Sequence, residues 1–198
     1  GAKLVATVNV QRIGFLDVGG QKQNAAWMGP FKMFIFGAGG DKLNSLVESL
    51  DVVGHEFTHG VISSTSNLTY AGQSGALNEH LADVFGALIQ YRYEHSEKPW
   101  LLGEKTLRGA FAAKAEALRD MLEPHKGLSS QPAMISEIPA ALGPDCKPQL
   151  KNDQCGVHHL SGIPNRAAAN YLQAVGWDHG SQLFYNVMTQ RLRSSSDF

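Results

Sequence analysis

His55, Glu56 and His59 belong to the run His-Glu-Phe-Thr-His, a spacing that suits metal chemistry on a helix. Residues four apart on a helix lie on one face, one turn from each other, so both imidazoles can reach the same ion. Zinc suits two such nitrogen ligands, at about 2.0–2.1 Å. Glu56 lies one position round the helix, where it can act as general base toward a water beside the metal. The alternative interpretation is two partly buried histidines that only form hydrogen bonds.

A catalytic zinc site needs a third protein ligand, and Glu79 is the best candidate for it. It follows His59 by twenty residues, near the start of a second predicted helix. An antiparallel pair of helices would bring its carboxylate to the metal. One turn further on, Asp83 could accept the second N–H of His55. Asn78 could do the same for His59, and such contacts fix the orientation of ligand rings.

His80 competes with Glu79 for the place of the third ligand. The two side chains point about 100° apart on a helix, so only one of them can face the metal. Glu79 and Asp83 could also belong to a solvated helix face without any metal. Two carboxylates four residues apart repel each other on such a face, which disfavours that alternative.

Apolar periodicity divides the chain into a strand-rich beginning and a mainly helical remainder. Residues 1–41 alternate short apolar runs with glycine-rich turns, which is typical of strands and hairpins. Apolar residues at spacings of three and four then predict helices over residues 43–62, 76–93, 163–175 and 182–191. An alanine-rich stretch over 110–118 is a weaker helix candidate, and residues 124–156 are predicted to be long loops with short helical pieces. Strands first and helices later indicate an α+β fold.

Composition indicates a globular protein. Of the 198 residues, 43% are hydrophobic and 18% are charged, as in folded domains. The formal net charge of -1 gives no reason to expect nucleic acid or a membrane surface as partner. Cys146 and Cys155 lie in a polar loop, where they could form a disulfide in an oxidising compartment or stay as two free thiols. Neither end carries a clear cap or stop, so the chain is expected to be a piece of a larger protein.

Several segments together resemble one family, the thermolysin-like zinc metallopeptidases, which are gluzincins. Residues 51–60 are similar throughout to the family's first zinc helix, and residues 72–86 are similar to its second. Residues 156–163 resemble the segment that carries the family's other catalytic histidine. Residues 24–27 resemble the edge strand along which substrate lies, and residues 117–119 resemble the segment with the substrate-binding arginine.

This resemblance implies a thermolysin-like catalytic domain with one zinc ion in the cleft between a β-rich lobe and a mainly helical lobe. Residues 1–42 would be the end of the β-rich lobe with the substrate-binding edge strand. Residues 43–198 would be the helical lobe with the zinc and the catalytic residues. The expected partners are peptide or protein substrates, together with a propeptide or the missing parts of the same domain. The expected location is secreted or extracellular, with the periplasm as alternative.

The resemblance also assigns catalytic roles. Glu56 would take a proton from the attacking water and pass it to the leaving amine. Tyr70 and His158 match the two side chains that donate hydrogen bonds to the oxyanion of the reacting carbonyl. Asp153 matches the carboxylate that orients this histidine. The neighbouring His159 is the alternative, and His158 is preferred because it follows Gly-Val in the motif.

Substrate contacts follow from the same resemblance. Asn24 and the backbone of Ala25 would pair with an extended peptide, and Trp27 belongs to the same edge strand. Arg119 would hold a substrate carbonyl group. An apolar pocket for the residue after the scissile bond would be lined by Leu43, Leu46, Val52 and Leu118. Cleavage before bulky hydrophobic residues is therefore expected, although apolar residues at helical spacing are usually core residues.

A calcium site near the zinc helices is expected to be lost or weakened. The family often binds calcium there through clustered acidic residues. Asp51 and Glu104 remain at matching positions, but Gln90, Pro99 and Lys105 stand where acidic residues are usual. A hard dication needs several oxygen ligands, preferably charged ones.

Three alternatives to an active endopeptidase are an aminopeptidase-type gluzincin, a zinc-bound binding module and a fragment that is inactive alone. An aminopeptidase needs groups that grip the amino terminus of the substrate, and the sequence offers no obvious acidic cluster for this. Loss of Glu56 or His158 would indicate a binding module, and both residues are present. Zinc content separates the zinc-bound alternatives from a metal-free scaffold, and peptide cleavage separates an enzyme from a binding module.

Overall fold

A computed structural model describes residues 4–11 and 23–198 of the chain. The predicted strand-rich beginning contains a three-stranded sheet of order β1-β3-β2, made of β1 (Val5–Val10), β2 (Ala25–Met28) and β3 (Met33–Gly37). Strands β2 and β3 form an antiparallel hairpin in which Trp27 faces Phe34, and β1 runs parallel to β3. The part of the predicted strand region over residues 12–22 lies outside the described residues.

Six helices follow among the described residues, and the longest two carry the metal-ligand candidates. They are α1 (Leu50–Ser64), α2 (Gly72–Glu94), α3 (Gly109–Ala112), α4 (Asp153–Leu160), α5 (Gly162–Val175) and α6 (Trp177–Asn186), the last continued by a π-helical turn over Val187–Arg191. Two short strands, β4 (Leu101–Leu102) and β5 (Arg119–Asp120), pair antiparallel after α2. None of the described helices has the length and apolarity that a membrane span requires.

Three predicted helix boundaries differ from the structure by five residues or more. The first helix begins at Leu50 rather than at residue 43, because Leu43 forms a β-bridge with Leu107 and a separate 3₁₀ turn over Leu46–Glu48 precedes the helix. The stretch over 110–118 is helical only to Ala112. The last predicted helix begins at Trp177, five residues before the predicted start.

Helices α1 and α2 pack as closely as two backbones can. A Cβ atom on Gly86 of α2 would lie 2.4 Å from the carbonyl oxygen of Asp51 on α1. A Cβ atom on Gly54 of α1 would in turn lie 3.1 Å from the Cα of Gly86. Glycine is therefore required at residue 86, and this close approach brings short polar side chains of the two helices within reach of one another.

The core consists of separate apolar clusters on either side of this helix pair. One cluster lies among α2, α5, α6 and β4 and contains Val84, Leu88, Leu102, Met121, Ala169, Leu172 and Trp177. Another joins the sheet to the segment before α1 and contains Phe34, Phe36, Leu43 and Leu46. The α1–α2 pair thus lies between the sheet and the remaining helices, and this packing fixes the positions of α1 and α2.

Candidate metal centre and active site

The side chains of His55, His59 and Glu79 converge where α1 and α2 face each other. The two Nε2 atoms lie 3.0 Å apart. Glu79 Oε2 lies 3.5 Å from His55 Nε2, and Glu79 Oε1 lies 3.4 Å from His59 Nε2. A tetrahedral ion with bonds of about 2.0–2.1 Å separates its ligand atoms by about 3.3–3.4 Å. The three side chains therefore have the spacing of three corners of a zinc site.

The hydrogen bonds of the two rings support the same assignment. His55 Nδ1 lies 2.8 Å from Asp83 Oδ1, and His59 Nδ1 lies 2.7 Å from Asn78 Oδ1. Both acceptors require a proton on Nδ1, which leaves the Nε2 lone pairs facing each other. Glu79 Oε2 is buried and has no hydrogen-bond partner among the described residues. Two opposed lone pairs beside a bare carboxylate oxygen fit a cation and are costly without one.

Charge in this cluster also favours a cation. Glu79 and Asp83 are both fully buried. Burial disfavours the ionised form of Glu79, but the surrounding histidines, His158 first, hold its pKa well below the usual range. Burial likewise lowers the pKa of His55, but the contacts with Asp83 and Glu79 outweigh it and raise the pKa to about 10. A divalent cation would supply the positive charge that these buried carboxylates demand.

Asp83 is the centre of a buried network behind the metal ligands. Its Oδ1 accepts hydrogen bonds from His55 and, at 2.5 Å, from the guanidinium group of Arg119. Burial raises the pKa of Asp83, but Arg119 and His55 together lower it to about 2, so the carboxylate stays ionised. Arg119 thus lies behind the ligand histidine, and its predicted contact with a substrate carbonyl stays a prediction.

Asn165 on α5 completes this network, and the sequence does not predict this role. Its Nδ2 donates to Asp83 Oδ2 at 2.8 Å, and its Oδ1 accepts from His80 Nδ1 at 2.8 Å. His80, the competitor for the third ligand position, is therefore turned toward α5 and away from Glu79. The Pro-Asn pair near the start of a helix is the only local signal that could have drawn attention to this residue.

Replacement of Asn165 by alanine should lower the free energy of unfolding by about 2–4 kcal/mol, because it leaves buried groups of Asp83 and His80 without partners. Chemical denaturation of the parent and the variant measures this difference. Asn170→Ala is the matched control, since Asn170 lies on the same helix, is exposed and bonds only to a backbone carbonyl. The control should change stability by no more than about 0.5 kcal/mol. Equal losses in both variants would contradict a structural role for the buried amide.

A cavity of about 500 Å³ opens beside the three ligand atoms. Glu56 is buried and lines it together with the ligands. The edge strand of the sheet forms the opposite wall through Asn24, Ala25 and Trp27. The structure thus brings the predicted general base and the predicted substrate strand to the same cavity, whose size suits an extended peptide segment.

Tyr70 and His158 stand on the other side of the same cavity. The Tyr70 hydroxyl donates to Glu79 Oε1 and lies 3.2 Å from His158 Nε2. Burial and the nearby Glu79 carboxylate raise the pKa of Tyr70, which keeps its hydroxyl protonated. Asp153 lies 2.6 Å from His158 Nδ1, and together with Glu79 it raises the pKa of this half-exposed histidine against the effect of burial. Both side chains are therefore held as hydrogen-bond donors, whereas His159 does not line the cavity.

The turn that precedes His158 has an unusual backbone. Asp153, Gln154, Cys155 and Gly156 have consecutive φ angles of 55°, 50°, 67° and 77°, so they form one left-handed turn. A left-handed conformation costs about 1–2 kcal/mol for most residues other than glycine. Cys155 is disulfide-bonded to Cys146, which confirms the predicted pairing.

The four residues predicted to form an apolar substrate pocket lie away from this cavity. Leu43 and Leu46 are buried in the cluster with Phe34 and Phe36, and Val52 and Leu118 pack against that cluster. None of the four lines the cavity at the ligand atoms. The structure therefore places them in the apolar layer between sheet and helices, and their contribution to substrate choice stays a prediction.

Of the two acidic residues considered for calcium, Asp51 lies in the first turn of α1 and Glu104 lies in a 3₁₀ turn over Glu104–Thr106. All the described contacts of Asp51 are with hydrogen-bond donors: Ser49 Oγ at 2.5 Å, the amide of Val52 at 2.7 Å and the amide of Gly103 at 2.5 Å. Glu104 Oε1 accepts from the side-chain amide of Gln90 at 2.6 Å. Neighbouring protein donors therefore occupy three of the four carboxylate oxygens.

Comparison with known proteins agrees with this geometry. The family model described as "Thermolysin metallopeptidase, catalytic domain" matches residues 1–63, and "Thermolysin metallopeptidase, alpha-helical domain" matches residues 66–198. Protease PrtS of Photorhabdus sp. (strain Az29) is 36% identical over 198 residues, which are 96% of this chain and 50% of that protein. Bacillolysin of Bacillus subtilis (strain 168) is 36% identical over 199 residues, covering 100% of this chain and 33% of that protein.

A solved structure shows the same fold. The precursor of protealysin, a metalloproteinase from Serratia proteamaculans, superimposes with a TM-score of 0.77 and 32% identity, covering 91% of this chain and 56% of that one. The chain thus spans between a third and somewhat more than half of the length of these relatives. Because the two family models together match nearly every residue, the chain belongs to the thermolysin metallopeptidase family.

Proposed function

We propose that the protein is a zinc-dependent endopeptidase. The observation that carries this proposal is the convergence of two histidine Nε2 atoms and a buried Glu79 oxygen beside a cavity that also holds Glu56 and the edge strand. His55, His59 and Glu79 would hold the ion. When bound, zinc acts as a Lewis acid, which polarises a carbonyl oxygen and makes water acidic enough to lose a proton near neutral pH.

The protein's own side chains would transfer the proton, stabilise the oxyanion and orient the imidazole. Glu56 would accept the proton of the attacking water and then give it to the leaving amine, because its carboxylate lines the same cavity. Tyr70 and His158 would donate hydrogen bonds to the carbonyl oxygen as negative charge develops on it. Asp153 would hold the imidazole in the tautomer and orientation that this donation needs.

The edge strand gives the proposal a substrate class. Strand β2 pairs with β3 on one side, and its residues Ala25 and Trp27, together with the preceding Asn24, border the cavity. An extended peptide that adds to this strand would pass the ligand atoms, which suits internal cleavage of a polypeptide. Cleavage before bulky hydrophobic residues is part of the proposal and rests on the family resemblance.

Secretion and control by a propeptide complete the proposal. Two relatives carry names that place them outside the cell, the extracellular elastase of Staphylococcus epidermidis and the extracellular metalloprotease of Pectobacterium carotovorum. The Cys146–Cys155 disulfide is compatible with an oxidising compartment. The solved protealysin chain is a precursor, which motivates the search for a propeptide acting on this protein.

An assay with acetylated quenched fluorescent peptides tests the proposed activity. Peptides with Leu or Phe after the central bond should be cleaved, peptides with Asp or Gly there should be cleaved at least about tenfold more slowly, and mass spectrometry should show internal cuts. Removal of zinc by a chelator should abolish cleavage, and stoichiometric zinc should restore it. Bound zinc without cleavage of any peptide would contradict the endopeptidase proposal and favour a binding module.

Calcium is proposed to contribute little to stability. Asp51 is saturated by donors, and the ammonium group of Lys105 pairs with Glu94 close to the carboxylates. Adding 5 mM CaCl₂ to the zinc-loaded protein should therefore raise the melting temperature by less than about 2 °C. Gln90→Glu replaces the amide donor to Glu104 by a third carboxylate, so this variant should lose stability and regain it with calcium. A large calcium effect on the parent, absent with magnesium, would contradict this prediction.

A further inference from the structure

We propose that the disulfide between Cys146 and Cys155 positions His158, by holding residue 155 in a left-handed backbone conformation. The inference rests on the proposed function, because His158 is the side chain that would donate to the reacting oxygen. Cys155 precedes it by three residues and is 2% exposed, so it contacts no substrate. It would act as a positioning residue, through the turn to which it belongs.

The backbone of the turn needs a restraint at this position. Of its four left-handed residues, only Gly156 is free of a steric penalty, and a Cβ atom there would also lie 2.6 Å from the Leu142 side chain. Asp153 belongs to a residue type that tolerates this conformation, whereas Gln154 and Cys155 do not. A residue with a Cβ at position 155 would relax toward the right-handed region unless a bond held it.

The disulfide is the covalent part of that restraint. Cys146 and Cys155 have Cα atoms 5.9 Å apart and close a short loop that ends in the left-handed first residues of α4. The side chain of Asn152 reinforces the loop, since its Oδ1 accepts the amides of Cys155 and Gln149 at 3.1 and 2.9 Å. Its Nδ2 donates to the Lys147 carbonyl at 3.0 Å. Both the disulfide and the hydrogen bonds of Asn152 therefore connect the turn to the preceding loop.

Asp153 connects the backbone of the turn to the position of the His158 ring. This residue begins the turn, and its Oδ2 accepts the backbone N–H of His158 at 2.9 Å while its Oδ1 lies 2.6 Å from the ring Nδ1. On the other side, Val157 packs so closely on α2 that a Cβ atom on Gly75 would lie 2.4 Å from it. A change of φ at residue 155 would move Asp153 relative to His158, because the packing of Val157 on α2 holds the residues after the turn in place.

Two double variants separate this role from a general effect of the crosslink. Cys146→Ala with Cys155→Ala removes the bond and leaves a residue that resists the left-handed conformation. Cys146→Ala with Cys155→Gly removes the same bond but supplies a residue that adopts the conformation freely. In the peptide assay, kcat should fall about tenfold or more in the alanine pair, with KM nearly unchanged, as expected for a misplaced oxyanion donor. The glycine pair should recover to within about threefold of the parent.

Amide hydrogen exchange of His158, followed by NMR, provides a readout that needs no activity. Its N–H is donated to Asp153, so it should be protected in the parent and the glycine pair and exchange about tenfold faster in the alanine pair. Equal behaviour of the two pairs in kcat and in exchange would overturn the proposal, as would failure of both pairs to fold. An inactive parent with the expected exchange pattern would instead count against the proposed function alone.

Discussion

Glu56→Gln should abolish most peptide hydrolysis while zinc stays bound. The glutamine side chain keeps the size of the buried carboxylate but cannot accept a proton from the attacking water. A general base contributes about 10²–10⁴-fold to rate, so kcat should fall by at least about 100-fold, with KM changed little. Steady-state kinetics and zinc analysis on the same sample measure both quantities.

The control for this experiment is Glu97→Gln, which makes the same chemical change on an exposed residue outside the cavity. It should leave kcat and zinc content unchanged. Retention of more than about a tenth of the parent's kcat in Glu56→Gln, with one zinc bound, would rule out Glu56 as the general base. Loss of zinc together with activity would show instead that Glu56 helps to hold the metal.

Glu79→Gln should weaken zinc binding more than the replacement of any other single carboxylate by its amide. The variant loses a buried negative charge that faces both Nε2 atoms, at 3.5 and 3.4 Å. Changes to residues that only orient metal ligands typically cost 10–100-fold in affinity, so a ligand itself should cost more than about 100-fold. Competition with a chromogenic chelator measures the dissociation constant.

Asp83→Asn is the graded comparison for this second prediction. Asp83 does not touch the metal position but accepts a hydrogen bond from His55 Nδ1. Its variant should lose about 10–100-fold in zinc affinity, between the parent and Glu79→Gln. If Asp83→Asn weakened zinc binding as much as Glu79→Gln, Glu79 would have no distinct role as ligand.

The grouping of the metal-ligand candidates could be predicted from the sequence because helical geometry is local. Residues four apart on α1 must share a face, and a short connection forces α2 to return beside α1. The contacts of Asp83 and Asn78 with the two histidine rings follow from the same periodicity. The chemical roles of these residues remain predictions.

Contacts between distant segments could not be predicted in the same way. Asn165 reaches Asp83 across 82 residues, and no spacing rule connects α5 with α2. The left-handed turn before His158 opposes the preferences of Gln154 and Cys155, so only tertiary contacts explain it. Tertiary contacts also set the start of α1, because Leu43 bonds to Leu107 in a bridge instead of joining the helix.

The α1–α2 pair holds all three ligand candidates in one hairpin. The proposed oxyanion donors Tyr70 and His158, in contrast, lie 88 residues apart in the sequence. A contact of high sequence separation costs more loop-closure entropy, and proteins open in cooperative units that often coincide with supersecondary motifs such as a helical hairpin. A chain with a loosened helical lobe could therefore still hold a full equivalent of zinc. With the proposed zinc site, metal stoichiometry would report the integrity of one helical hairpin, and the fraction of active molecules in a preparation would have to be measured by active-site titration.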